Sequence, residues 1–328
     1  MFLGLREHEM RSNPCIIGGK IPFDPNIIII VMQSTFMYGD VCVSGQVCFE
    51  RGRELGKEWM VMGYQVLKRQ EAIAQAAETF QTDGNIRVMG PGALRNNIRV
   101  KHVTLPDVYS VEMQAFYNCT SLRSVSFPKL RSVKREAFSG CSHLKEVVLP
   151  RSVNHVEKAV FCDCRRMEQA LFDKRVSCRE LLDEFFSGCR GLRRVALPSG
   201  VVVIGRCAFY KCESLERIKL PDGLRKIGIE AFYQCGLTSL KLPEHLEIIS
   251  DSAFLKCKRL EYVKVPPSVN VIGKWAFHGC TRLQVLEIGH DPQEVGEWLT
   301  NKNCIIRCHK GSRMEAYART YGIQVEYL

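Results

Sequence analysis

The sequence predicts an α/β, strand-rich solenoid with short parallel strands, made of about nine stacked units of 22–25 residues and capped at both ends. Three observations support this fold. A Phe is followed by a Cys three residues later eight times in register, an alternating apolar pair ends at a Pro in several units, and the two ends of the chain lack the repeat. Because one unit cannot bury its own apolar face, the units must stack with equivalent positions aligned.

The Phe and Cys residues define the core of the predicted solenoid. Successive Phe residues lie 22 to 25 positions apart, and burying each one contributes on the order of 1.5–3 kcal/mol. A ninth, degenerate unit precedes the eight, with Leu94 in the Phe position and Asn97 in the Cys position. Asn and Cys are both small side chains that can hydrogen-bond backbone at a turn. The eight pairs are Phe116/Cys119, Phe138/Cys141, Phe161/Cys164, Phe186/Cys189, Phe209/Cys212, Phe232/Cys235, Phe254/Cys257 and Phe277/Cys280.

Each unit is expected to contribute one short strand, which is the apolar pair before the Pro. Val263 and Val265 before Pro266 show the alternation that is typical of a half-buried strand, and Pro ends the strand because it has no N–H to donate. Strands of successive units would form a parallel ladder with a spacing of about 4.8 Å. One unit departs from the pattern, because Asp173 replaces the Pro and residues 179–183 lengthen the next turn.

At these positions the sequence resembles the BspA-type leucine-rich repeat family, whose units read like L-x-x-I-x-L-P-x-x-V-x-x-I-G-x-x-A-F-x-x-C. The resemblance covers about residues 86–289, and residues 308–323 resemble the family's C-terminal ending, a capping strand, helix and strand. It implies a leucine-rich-repeat solenoid. It also implies a recognition protein without catalytic residues, in a family found largely among bacterial and protist surface or secreted proteins.

The chain divides into two predicted parts. Residues 1–85 show no repeat and carry 8 Lys and Arg against 10 Asp and Glu, whereas residues 86–328 carry 38 against 25. We expect strands at Ile27 to Met32 and Trp59 to Leu67, and a helix from Gln70 to Phe80. We therefore predict an N-terminal cap or small α+β domain at 1–85. The solenoid follows at 86–328, with its C-terminal cap from about residue 290.

The compartment is predicted from hydropathy and from the cysteines. The longest apolar run, Ile27 to Met32, is too short for a transmembrane helix, and Met1 to Met10 lack the layout of a signal peptide. Sixteen cysteines, half of them in the repeat, favour free buried thiols and a reducing compartment. We expect a cytoplasmic protein, or a secreted or cell-surface one if a leader has been removed.

The sequence offers little for catalysis or metal binding. Cys162 and Cys164, and Cys304 with Cys308 and His309, have short spacings, but zinc sites pair two such elements at set distances. The sequence lacks a G-x-S-x-G, an H-E-x-x-H and a P-loop motif. We predict no catalytic residues, metal or cofactor, and an enzyme with its active site in residues 1–85 remains the alternative.

The outward side chains of the strands are the predicted binding surface. Two groups stand out among them. The apolar strip consists of Val148, Leu171 and Ala196. The basic stripe consists of Arg194, Arg217, Lys219, Lys241 and Lys264, with Tyr262 at its edge.

The basic stripe predicts an anionic partner, because adjacent like charges on a parallel ladder destabilise it mildly. We predict a monomeric, non-catalytic recognition module that binds a protein or glycan through the strand face. A plain solvated face rich in Lys is the simpler interpretation. A nucleic-acid binder is a further alternative, which a pI near 9.0 permits. The face offers one aromatic side chain, Tyr262, rather than a stacking platform, which disfavours nucleic acid.

Overall fold

The structure, a computed structural model, describes residues 48–49, 60–61, 64–173, 176 and 178–328. The chain forms two compact units, Met1–Met62 and Gly63–Leu328. In the first unit, strands β1 (Cys48–Phe49) and β2 (Met60–Val61) pair antiparallel. The predicted strand from Ile27 to Met32 lies outside the described residues.

The second unit is a parallel β-solenoid of about 11 coils. The strands of the predicted ladder, called the face strands, are β4 (Thr79–Gln81), β6 (His102–Thr104), β8 (Ser124–Ser126), β10 (Glu146–Leu149), β12 (Gln169–Phe172), β14 (Arg194–Ala196), β18 (Tyr262–Val265), β20 (Val285–Ile288), β22 (Ile305–Cys308) and β23 (Gln324–Tyr327). A second set, called the back strands, consists of β3 (Tyr64–Leu67), β5 (Ile86–Met89), β7 (Ser110–Val111), β9 (Ser132–Val133), β11 (His155–Val156), β13 (Glu180–Leu181), β15 (Val203–Ile204), β16 (Lys226–Ile227), β17 (Ile248–Ile249), β19 (Val271–Ile272) and β21 (Glu294–Val295).

The face strands form three parallel sheets rather than the single predicted ladder. Their orders are β4-β6-β8, β10-β12-β14 and β18-β20-β22-β23. The strands predicted at 217–219 and 239–241 do not form, so that part of the prediction is wrong. The back strands form two runs, β3-β5-β7-β9-β11 and β13-β15-β16-β17-β19-β21. The interruption between β11 and β13 follows the lengthened turn after Asp173.

The predicted Phe spine is confirmed. The Phe rings are buried and stack from coil to coil, with centroid distances from 5.0 Å between Phe116 and Phe138 to 5.8 Å between Phe161 and Phe186. An apolar residue of each back strand also packs into the core, as Ile227 and Ile249 do in adjacent register. Each coil with a Phe therefore adds one ring and further apolar side chains to one continuous core.

The turn that holds each Phe contains two residues in the left-handed region. In the coil of Phe232 they are Glu230 at φ 55° and Gln234 at φ 54°, a conformation that costs an L-residue roughly 1–2 kcal/mol. The left-handed residues direct every second N–H group of the turn towards the next coil. Glu230, Phe232 and Gln234 donate to carbonyls of the next coil, with the Phe232 N–H 2.8 Å from the Ala253 oxygen. These hydrogen bonds offset the backbone strain.

The repeated Cys residues form a hydrogen-bonded ladder inside the solenoid. Each thiol donates to the carbonyl of the spine residue one coil earlier, as Cys141 does to Phe116 at 3.1 Å and Cys235 to Phe209 at 2.9 Å. Burial raises the pKa of Cys141 well above its usual range. Asn97, in the Cys position of the degenerate unit, instead accepts hydrogen bonds from backbone N–H groups of its own turn. The thirteen cysteines from Cys119 to Cys308 are free.

The two ends of the solenoid each carry a helix. Helix α1 (Arg69–Gln75) is shorter than predicted, because Phe80 lies in β4, where it is buried and aligned with Val103. At the C-terminus the predicted strand, helix and strand are β22, α2 (Arg313–Tyr321) and β23. Ser312 begins α2 as its N-cap and Gly322 ends it in the left-handed region. Among the described residues, no helix is long and apolar enough to cross a membrane.

Candidate binding surface on the face strands

The apolar strip lies on three hydrogen-bonded strands. Val148, Leu171 and Ala196 occupy the same register position on β10, β12 and β14. Val148 is 54% exposed, Leu171 is half-buried and Ala196 is exposed. Their side chains alternate with the buried Val147 and Ala170, so the pleat of the sheet directs the apolar strip outward.

A groove continues the apolar strip towards the N-terminal coils. It has a volume of about 280 Å³ and lies where β8 and β10 are not hydrogen-bonded to each other. Val148 forms one wall, and Phe127, Pro128 and Pro150 add apolar surface. Ser126 and Glu146 line the remainder. The repeat pattern does not predict this groove, because its lining depends on a break in the ladder.

Four members of the basic stripe are exposed and have no ion pair. These residues, called the unpaired cations, are Arg194, Arg217, Lys219 and Lys241. Within the described part of the chain, no carboxylate lies within 4.0 Å of their charged nitrogens. They stand on three consecutive coils.

Lys264, the fifth member of the basic stripe, is different because it is neutralised. Its Nζ lies 2.9 Å from Oε1 of Glu287 on the next face strand. Arg307 contacts the other oxygen of Glu287 at 3.3 Å and reaches Glu326 at 3.1 Å. The hydrogen bond from Lys264 holds the pKa of Glu287 below its usual range. Charges of alternating sign thus follow one another from Lys264 to Glu326. The sequence signal for the first ion pair is Glu287, which stands one coil after Lys264 at the equivalent position.

Tyr262 lies at the edge of the basic stripe, and its hydroxyl is already in use. The side chain is 43% exposed, and its hydroxyl donates a 2.8 Å hydrogen bond to Glu287. Burial, and then the neighbouring carboxylate of Glu287, raise the pKa of Tyr262. The ring edge remains accessible, while the hydroxyl is held by the same carboxylate that binds Lys264.

The backbone beside the unpaired cations is open. Across the described chain, residues 217–220 and 239–242 find no backbone hydrogen-bond partner, although the back strands β15, β16, β17 and β19 pair without interruption behind them. These two stretches, 217–220 and 239–242, are called the open segment, and they are the face portions of two consecutive coils. Its N–H and C=O groups make no backbone hydrogen bond to the adjacent coils, and those of the exposed Arg217, Lys219 and Lys241 are the ones that water or a ligand can reach.

The described residues contain no group of three or more His, Cys, Asp or Glu side chains that could hold a metal ion. Cys164 uses its thiol in the ladder, as a donor to Phe138 at 3.3 Å. The alternative of an active site within residues 1–85 falls mostly outside the described residues.

Comparison with known proteins identifies the repeat. The family model for the BspA type leucine-rich repeat region matches residues 84–189 and 179–306, with six copies. A leucine-rich repeat protein from Bacteroides ovatus is similar in structure, with 20% identity over 76% of this chain and 83% of that chain and a TM-score of 0.50. A leucine rich cell surface protein from Faecalibacterium prausnitzii has 20% identity over 76% of this chain and 87% of that chain, with a TM-score of 0.48.

A leucine rich repeat protein from T. pallidum has 27% identity over 58% of this chain and 79% of that chain, with a TM-score of 0.37. No curated protein matches the sequence. The family model spans well over half of the chain, and its repeats coincide with the coils that carry the Phe spine. The chain belongs to the BspA type leucine-rich repeat family.

Proposed function

We propose that this protein is a non-catalytic recognition module that binds an acidic protein or glycan through its face strands. Family membership indicates a protein-interaction module. The observation that supports the more specific proposal is the set of unpaired cations, which stand on three consecutive coils beside open backbone.

The same face contains the means to neutralise such charges. From Lys264 onward the outward positions alternate in sign and form ion pairs. At Lys219 and Lys241 the outward positions of adjacent coils carry like charges, which destabilise each other when they lie opposite. An anionic partner bound across these coils would remove that repulsion. Coils spaced about 4.8 Å apart place the cations within about one Debye length of their neighbours.

Two features favour a protein or glycan over nucleic acid. Binding of single-stranded nucleic acid uses aromatic side chains on which successive bases stack. Here one aromatic ring, Tyr262, borders the unpaired cations, and its hydroxyl is bound to Glu287. The second feature is the apolar strip beside the cations, because the charged sugar-phosphate backbone of a nucleic acid has no apolar side chains to contact it.

The proposal can be tested with two immobilised polyanions, poly-L-glutamate and heparin. The double variant Lys219→Glu, Lys241→Glu should lose retention on the polyanion that the intact chain binds, and added salt should weaken the binding of the intact chain. Lys158→Glu with Lys226→Glu is a matched control, because both side chains are exposed and the same net charge is removed. Equal loss in both double variants would contradict the proposal, since it would show that total charge rather than the face binds.

A further inference from the structure

The apolar strip and two unpaired cations belong to one column of outward positions. Val148, Ala196, Lys219 and Lys241 each stand two residues before a Pro, and Leu171 is in register with Val148 and Ala196. Along the solenoid axis the column is therefore apolar on three coils and cationic on the next two. In the neighbouring outward column, Arg194 stands beside Ala196 on the last apolar coil and Arg217 beside Lys219 on the first cationic coil.

We propose, on the basis of the proposed function, that the ligand of this surface is an extended peptide segment with apolar residues at one end and an acidic run at the other. Its apolar side chains contact the apolar strip and the groove beside Val148. Its carboxylates pair with Lys219, Lys241 and the two arginines. The peptide runs along the axis, across the face strands.

The dimensions of the column set the length of that peptide. Five coils have four spacings of about 4.8 Å, or about 19 Å in all. An extended chain advances about 3.3 Å per residue, so about six residues span the column. The open backbone at the exposed Arg217, Lys219 and Lys241 supplies N–H donors for carboxylates at the acidic end. Guanidinium groups add paired donors that match carboxylate geometry.

The apolar half is what favours a peptide over a polysaccharide. A linear anionic polysaccharide carries charge along its length and offers no aliphatic side chain for the 54% exposed Val148. It would also leave the groove lined by Phe127, Pro128 and Pro150 unfilled. A peptide can carry both kinds of group in the order in which the column presents them.

The test uses capped, fluorescently labelled hexapeptides and the full chain. One peptide has three apolar residues followed by three glutamates, a second has the reverse order, and a third is hexaglutamate. We expect one of the two block peptides to bind at least ten-fold more tightly than hexaglutamate. Val148→Ser with Leu171→Thr should remove that advantage while hexaglutamate binding stays unchanged, which also reports that the variant is folded. Lys219→Glu with Lys241→Glu should weaken the binding of all three peptides.

The possible failures separate the inference from the proposed function. Equal affinity for the block peptides and hexaglutamate would overturn the inference and leave charge-driven recognition in place. Displacement of the bound block peptide by an equal concentration of a heparin hexasaccharide would also overturn it, in favour of a glycan. If the intact chain retains no polyanion and binds none of the peptides, both proposals fail.

Discussion

Replacing Phe232 by Ala tests whether the aromatic spine holds the coils together. Phe232 is fully buried, and its ring stacks on Phe209 at 5.1 Å and on Phe254 at 5.2 Å. Removing a buried Phe side chain typically destabilises a protein by about 3–5 kcal/mol. Two stacked neighbours and no gap on either side place this position at the upper end of that range.

A second substitution separates ring stacking from burial. Phe232→Leu keeps most of the apolar volume, and Leu94 already occupies the equivalent position in the degenerate unit. It removes two ring contacts, each worth about 0.5–1.5 kcal/mol beyond the area they bury. We expect a loss of about 1–3 kcal/mol. In Phe277→Leu, where a Phe ring stacks on one side only, the loss should be about half of that.

The free energy of unfolding would be measured by urea titration with circular dichroism, on the intact chain and the three variants. The order of stability should be intact chain, Phe277→Leu, Phe232→Leu and Phe232→Ala. A loss below about 2 kcal/mol for Phe232→Ala, or equal losses for the two Leu variants, would refute the reasoning that stacking continues through the spine.

Four further outcomes are expected. The thiols of the ladder should resist modification in the folded protein, so that reaction among the cysteines from Cys119 to Cys308 is confined to the partly exposed Cys162, Cys178 and Cys207; rapid labelling of a ladder thiol such as Cys141, located by peptide mapping, would contradict the buried ladder. In hydrogen exchange, amides of 217–220 and 239–242 should exchange faster than those of β18 and β20, and equal protection would refute the open segment. The lowered pKa of Glu287 contributes stability above its unfolded value near 4.5, which is lost as the pH falls through the folded value. Glu287→Gln should therefore flatten the decline of melting temperature below pH 4.5, and an unchanged slope would show that the ion pairs of Glu287 do not stabilise the fold. Deleting residues 314–328 should cause aggregation or a large fall in melting temperature, because Met314 and Ala318 bury the last coil; unchanged melting would make the tail an appendage.

The sequence predicts features that recur in every coil, and it misses those that depend on the neighbouring coil. The Phe spine, the Cys ladder and the face strands follow from the repeat. The back strands are two residues long in most coils, too short for an alternating pattern to show. Ile218 and Leu220 before Pro221 match the strand pattern as well as Val263 and Val265 do, yet only the latter pair form a strand. Hydrogen bonding between coils is set by their separation, which a unit's own sequence does not encode.

The candidate surface was predictable to the same extent. Exposure of the apolar strip and the basic stripe follows from strand alternation, and the structure exposes Val148, Arg194 and Lys241 accordingly. Pairing of Glu287 with Lys264 and Arg307 requires the register of three face strands, including one in the C-terminal cap. The binding role of the apolar strip and the basic stripe stays a prediction, and so does the division of the chain at residue 85. The ladder of parallel strands already begins with β3 at Tyr64.

Among the described coils, the interruptions of the face strands and those of the back strands fall at different junctions, and this has a mechanical consequence. Where β8 and β10 separate, β9 and β11 are joined; where β11 and β13 separate, β10 and β12 are joined. Behind the open segment, β15 to β19 hold every junction. Stability in a repeat array depends on each repeat and on the interfaces between neighbouring repeats. Every junction between the coils of Phe116 and Phe277 keeps at least one hydrogen-bonded pair of strands. We therefore expect these coils to unfold together under force or heat. The face can keep unpaired backbone at the open segment because the back strands still join the coils there.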